Sequence, residues 1–154
     1  MTTGPEPLSE TDLHRILVEW NDTDAPVPDG SVADLVAAQV ATRPGRSAVT
    51  FGATTLTFAE LDRRAGALAR RLTRHGVGPG VLVAVFLGRS EEMVVALLAI
   101  AQAGGAYVPL DPDFPADRIA FMIGDCAAPV LLTDAGLVEA LPRHGAAVVL
   151  VGEA

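Results

Sequence analysis

Apolar residues along this chain switch between two spacings, and the switches mark its elements. Leu13, Ile16, Leu17 and Trp20 stand at i, i+3, i+4 and i+7, the single stripe of a short amphipathic helix. Ser9 precedes it with Asp12 three positions on, which reads as a helix start. Pro26, Pro28 and Asp29-Gly30 then break the pattern, so residues 21–30 predict an extended connector ending in a turn. The first helix is expected to be a separate element laid against the main body. Ser31 with Asp34 repeats the capping pattern, and Val32, Leu35, Val36 and Val40 predict the buried face of a second helix ending near Arg43-Pro44.

Short β-type runs, 48–51 and 54–57, flank Gly52-Ala53 and predict a hairpin. Thr57 with Glu60 opens a long helix whose apolar side is Phe58, Leu61, Ala65, Leu68 and Leu72, with His75-Gly76 at its end. Residues 81–87 form a continuous apolar run, as a strand buried on both faces requires. A helix over 91–103, apolar nearly all round, follows it. Residues 106–110, 130–133 and 147–151 predict three more strands, separated by helices starting near Pro115 and near Ala135, after Asp134. Strand and helix alternating in this way predict an α/β fold, a partly parallel sheet flanked by helices.

Length and charge then narrow the possibilities. The chain has 154 residues, half of them hydrophobic, enough for one compact domain or a piece of one. Its net charge of −8 would repel phosphate backbones and anionic bilayers, which argues against nucleic-acid and membrane partners. The longest apolar run, 93–101, is far short of the ~20 residues that span a bilayer. The start of the chain lacks the positive and apolar regions of a secretion signal, so a cytoplasmic location is expected. Cys126 is the one cysteine and reads as a small apolar residue. All eleven basic residues are arginines; with no lysine, the chain offers no phosphate-loop, Schiff-base or acyl-phosphate-orienting lysine.

Each motif with a chemical look has a structural alternative. Gly76-Val77-Gly78-Pro79-Gly80 follows a helix and opens a strand, the reverse of a dinucleotide loop, and predicts a helix cap plus a turn. Gly88-Arg89-Ser90 joins a strand to a helix N-terminus, where backbone N–H groups bind anions, but Glu91 and Glu92 compete there for the helix dipole. Asp111-Pro112-Asp113 predicts a tight turn, because two carboxylates alone make a weak metal site. Gly104-Gly105 predicts a sharp exit from the buried helix with close backbone packing. His75 and His144 each precede a glycine, expected at helix C-termini, and His14 lies in the first helix; the three make no catalytic or metal-ligating spacing.

Two segments carry a family resemblance. Thr57-Phe58-Ala59-Glu60-Leu61, and the run from Ala103-Gly104-Gly105-Ala106-Tyr107 to Pro112 with Phe114 to Ile119 after it, resemble the first two core motifs of the amino-acid adenylation domains of nonribosomal peptide synthetases. Ala101-Gln102 stands where that family usually has leucine and lysine, outside the Gly-Gly-Ala-Tyr core. Leu8-Ser9-Glu10 and the stretch from Val18 to Thr23 are similar to the linker joining a condensation domain to an adenylation domain. Asp111 in Pro-Leu-Asp-Pro favours peptide-synthetase members over acyl-CoA ligases and luciferases.

The resemblance implies a linker over 1–30 and, over 31–154, the incomplete N-terminal part of an AMP-binding domain of the adenylate-forming fold. The parent reaction joins ATP and an amino acid into an aminoacyl-adenylate, then passes the aminoacyl group to a carrier-protein thiol. ATP and Mg2+ are implied for the complete domain. No catalytic, cofactor-binding or metal-ligating residue can be carried onto this chain, because the family's motifs for those roles fall later in its sequence. The segment is therefore expected to be inactive alone. Implied partners are the remainder of the domain and the carrier-protein and condensation domains. An alternative is a non-catalytic module or split-enzyme half docking an MbtH-like accessory protein near 117–132, where Ala127-Ala128-Pro129 offers a small-residue surface.

Overall fold

A computed structural model describes residues 7–152. Residues 1–6, where a secretion signal would begin, and 153–154 lie outside the described residues. Helices α1 (Glu10–Leu17) and α2 (Val32–Thr42) lead into the hairpin β1 (Ser47–Phe51) and β2 (Thr54–Thr57). Then come α3 (Phe58–Arg74), β3 (Leu82–Phe86), α4 (Glu91–Gln102), β4 (Ala106–Leu110), α5 (Ala116–Cys126), β5 (Val130–Thr133) and β6 (Ala147–Leu150). The last four strands form one parallel sheet in the order β4-β3-β5-β6. The α/β fold with a partly parallel sheet, expected from the alternation, is the fold observed.

The pleat of β3 divides the core in two. Val83 and Val85 face α3 and α4, together with Val130 and Leu132 of β5 and Val149 of β6. Ala84 and Phe86 face the other way, onto Leu110, Leu131, and Ile119 and Ile123 of α5. Alternate side chains of a strand point to opposite faces, so a run that is apolar at every position builds two cores.

Helix α3 owes its start to a reciprocal cap. The Thr57 hydroxyl oxygen accepts from the Glu60 N–H at 3.2 Å, while Glu60 accepts from the Thr57 N–H and hydroxyl, each at 2.8 Å. The same box, Ser31 with Asp34, opens α2. Leu61, Ala65, Leu68 and Leu72 are buried as their spacing predicts, with Phe58 half-buried, and each fully buried leucine contributes about 1.5–3 kcal/mol. The helix ends at His75 and Gly76, whose φ of 84° is the left-handed region glycine tolerates. The following glycines form the expected turn, closed by the Val81 N–H to the Gly78 carbonyl at 3.0 Å.

Four expectations need correction. The stripe of α1 is not laid on the body: Leu13, Leu17 and Trp20 are exposed, and α1 makes extensive contact only with the short turn Glu19–Asn21 that follows. The connector after it is exposed from Asp22 to Gly30 and is held extended by Pro26 and Pro28, so nothing draws the helix inward. In α2, Ala33 and Val36 pack against the core while Val32 and Leu35 are exposed, which rotates the buried face by about one residue. No α-helix starts near Ala135. Asp134 instead accepts from the N–H groups of Gly136 and Leu137, and only a 3₁₀ turn, Val138–Ala140, forms before Pro142 forces Leu141 into an extended conformation. Pro115 is the residue before α5 rather than its first helical position.

Two exchanges of glycine and alanine test the backbone in opposite directions. A Cβ on Gly105 would stand 2.8 Å from Val77 Cγ1 and 3.2 Å from the Val81 carbonyl oxygen, inside the first core. Gly105→Ala is expected to lower stability by about 1–3 kcal/mol, with Gly78→Ala, which meets nothing within 4 Å, near neutral in the same chemical denaturation. Ala127 caps α5 with φ 46°, a left-handed conformation that disfavours a Cβ, so Ala127→Gly is expected to raise stability by about 1 kcal/mol.

Acid should weaken both capping boxes. The Thr57 backbone N–H, then its hydroxyl, hold the Glu60 carboxyl below its ordinary pKa, and the Ser31 hydroxyl and N–H do the same for Asp34. A carboxyl depressed in the folded state stabilises above its unfolded pKa, and that stabilisation is lost as pH falls through the folded value. The melting temperature is therefore expected to fall below about pH 4, with a shallower fall in Glu60→Gln measured over the same pH range.

Candidate functional site

Parallel sheets of this kind bind ligands outside the carboxyl ends of their strands. There the chain folds the segments 87–90 and 111–114 around a cavity of about 560 Å3. Its apolar lining comes from Val85, Leu87, Met93, Pro109 and Phe114, and its charges from Arg89, Asp111 and Asp113. The two sequence motifs that suggested anion and metal binding thus share one cavity. Two of their polar side chains, Ser90 and Asp111, are engaged locally. Ser90 accepts from the Met93 N–H at 3.2 Å and donates to the Gly88 carbonyl at 3.3 Å, capping α4 with Glu91 and Glu92 in its first turn. Asp111 accepts from the Asp113 N–H at 3.0 Å, which makes the turn rather than a cation site. Arg118 stacks on Phe114, 4.6 Å from the ring centre. The cavity can enclose an apolar group, but it holds no nucleophile with an adjacent base.

A second cleft, of about 210 Å3, lies among α3, α4 and the end of β6. Polar ties cross the apolar interface beside it. Arg64 pairs with Glu92, the Arg71 Nη1 donates to the Leu150 carbonyl at 3.1 Å, and Gln102 Nε2 donates to Asp62 Oδ1 at 2.9 Å. Of these residues, Glu92 and Gln102 figure in the sequence motifs in other connections, and Arg64, Arg71 and Asp62 do not stand out there. Their signal was present in α3, where Arg64 and Arg71 sit seven residues apart and therefore on one side of the helix.

The third cavity, of about 350 Å3, lies between the end of α5 and the loop before β6, lined by Gly124, Ala127, Ala128, Pro129 and His144. His144 lies in this loop and not at a helix C-terminus, because the helix expected there does not form. Its Nδ1 is buried with no hydrogen-bond partner among the described residues, as is Thr133 Oγ1 in the sheet. His75 does end α3, and His14 lies on the exposed α1. Cys126 is half-buried at the end of α5, its thiol 3.5 Å from the Ile123 carbonyl. Among the described residues no three His, Cys, Asp or Glu side chains come together as a metal set, and no helix is long and apolar enough to cross a membrane.

Residues 36–153 match the AMP-binding enzyme family. The chain is 48% identical to a linear gramicidin synthase of Brevibacillus parabrevis over 92% of its own length, and 42% identical to bacitracin synthase 3 of Bacillus licheniformis over 82%. It spans only 3% and 2% of those proteins. Its fold superposes on the nonribosomal peptide synthetase FmoA3 with a TM-score of 0.85 at 33% identity, covering 94% of this chain and 16% of that one. The N-terminal subdomain of Klebsiella oxytoca NpsA gives 0.70 at 26% identity, covering 79% and 31%. The two motifs that carried the resemblance occupy the start of α3 and the α4–β4 junction of this shared frame, and the chain belongs to the AMP-binding enzyme family, within which it corresponds to the N-terminal part of a nonribosomal peptide synthetase adenylation domain.

Proposed function

We propose that this segment is structural scaffold for an amino-acid-activating domain and has no activity by itself. In the reaction of the complete domain, an amino-acid carboxylate oxygen attacks the α-phosphorus of ATP and pyrophosphate leaves. A carrier-protein thiol then attacks the acyl carbon, and AMP leaves. The residues present do not fit ATP and Mg2+: the N-terminus of α4 is capped by Ser90 and flanked by Glu91 and Glu92, that of α5 carries Asp117 in its first turn, and no lysine is available to the phosphates. No step is therefore assigned to this chain's side chains. The observation that carries the scaffold reading is the absence of any paired nucleophile and base in the cavity at the strands' carboxyl ends. We assign the working protein to the cytoplasm, alongside carrier-protein and condensation domains.

Amino-acid-dependent exchange of pyrophosphate into ATP tests this. The isolated chain is expected to give background exchange, and a complete adenylation domain carrying this segment in place of its own is expected to be active. Exchange by the isolated chain, or a folded but inactive chimera, would overturn the scaffold role.

A second reading rests on Ala127. A non-glycine residue held at φ 46° marks a backbone that its surroundings over-determine, and here it borders a cavity of small residues near the exposed Phe121. This surface suits the aromatic side chains of an MbtH-like accessory protein. Ala128 itself is buried in the second core, so the probe is the exposed Gly124 on the cavity rim: calorimetric titration with such a protein should give saturable binding that Gly124→Trp abolishes, and binding indifferent to that change would exclude this surface.

A further inference from the structure

Five of the eleven arginines lie on α3, at 63, 64, 70, 71 and 74. Arg64 and Arg71 are half-buried and tie α3 to Glu92 and to the Leu150 carbonyl. Arg63, Arg70 and Arg74 are exposed, and none has a carboxylate within ion-pair distance among the described residues. Spacings of seven and eleven residues bring these three within about 20° of one line along the helix, in a row about 16 Å long. Of the acids of α3, Asp62 accepts from Gln102, and Glu60 is held in the Thr57 cap, where the charges of Arg63 and Arg64 also act on it. Like charges at i and i+4, as at Arg70 and Arg74, oppose the helix that carries them. Arg74 nevertheless turns back along α3, its Nε donating to the Arg70 carbonyl at 3.3 Å.

Beside the row, the exposed Ala67 leaves a low point where another backbone can approach, Gly66 being flanked by the Arg70 guanidinium and Gln102, and the 210 Å3 cleft lined by Arg63, Ala67 and Glu92 opens next to it. The surface is thus basic, shallow and linear on a chain whose net charge is −8. A long polyanion would meet repulsion from the rest of the molecule within a screening length or two. A short acidic element meets the row and, beside it, a Glu92 already paired with Arg64.

We propose that the exposed face of α3 docks an acidic helix of another protein or domain, with carboxylates opposite Arg63, Arg70 and Arg74 and its backbone over Ala67. Carboxylates seven and eleven residues apart on such a helix match the rise of the arginine row. The interaction needs neither ATP nor an amino acid, so it stands or falls separately from the activation reaction.

The test is fluorescence anisotropy with the purified chain and a labelled helical peptide of about 20 residues carrying glutamate at i, i+7 and i+11. Binding is expected at about 50 mM NaCl and should weaken at about 300 mM. Reversing the row with R63E, R70E and R74E together should weaken it at least about ten-fold, while the triple lysine variant retains most of it. An unchanged melt for each variant shows that the fold is intact; the triple glutamine variant replaces the reversal if that one unfolds. No binding, or equal binding by the reversed chain, would overturn the proposal. Tighter binding of a single-stranded DNA of equal charge would make the row a general polyanion site and overturn it too. So would tighter binding of a peptide of residues 8–30, which holds six carboxylates against Arg15 alone and would point to a second copy of this chain.

Discussion

The structure depends on burying both faces of β3. Val83, Ala84, Val85 and Phe86 are at most 1% exposed, so no side of this strand meets water. A strand so placed requires a neighbour on each edge and a layer on each face, and β4, β5, α4 and α5 supply them. Parallel neighbours need crossover connections, which explains why helices intervene between β3, β4 and β5. The two cores are consequences of one apolar run.

That constraint tightens where α4 turns into β4. The crossover must return to the edge of β3 within a few residues of leaving a buried helix. Gly104 takes φ 80°, its N–H bonded to the Ala101 carbonyl at 3.0 Å, and Gly105 lets the chain pass against Val77 and the Val81 carbonyl before Ala106 joins β3. The adenylation-domain motif Gly-Gly-Ala-Tyr therefore has a packing explanation that needs no ligand. The other motif likewise resolves into the capping box of α3.

Where several local signals agreed, the fold was legible in the sequence. Thr57 and Glu60 marked a start, five apolar positions marked a face, and Gly76 marked an end, and the helix they describe is the one observed. Legibility failed where one signal stood alone. Asp134 resembled a cap, but Gly136 and Pro142 left no room for a helix between them. The α1 stripe predicted burial, yet periodicity states only that a face is apolar, and what covers that face is a tertiary fact. The polar ties of α3 were hidden for the same reason: Arg64 and Glu92 are 28 positions apart, and nothing local announces that α3 and α4 lie side by side.

The fold uses several of its polar groups to shape its own loops. Its side chains with catalytic potential at the strands' carboxyl ends are consumed in forming turns and caps, Ser90 at α4, Asp111 before α5 and Asp134 after β5. A carboxylate that accepts two backbone N–H groups, as Asp134 does, is held in place as an acceptor and is poorly placed to act as a base. Beyond these groups lies an open, mainly apolar cavity at the carboxyl ends of the parallel strands, with Arg89 and Asp113 in its lining. The loops there are held by hydrogen bonds of 2.8–3.3 Å from side chains to the local backbone. At the carboxyl ends Ser90, Asp111 and Asp134 are thus tied to the backbone, while Thr133 Oγ1 stays buried without a partner among the described residues.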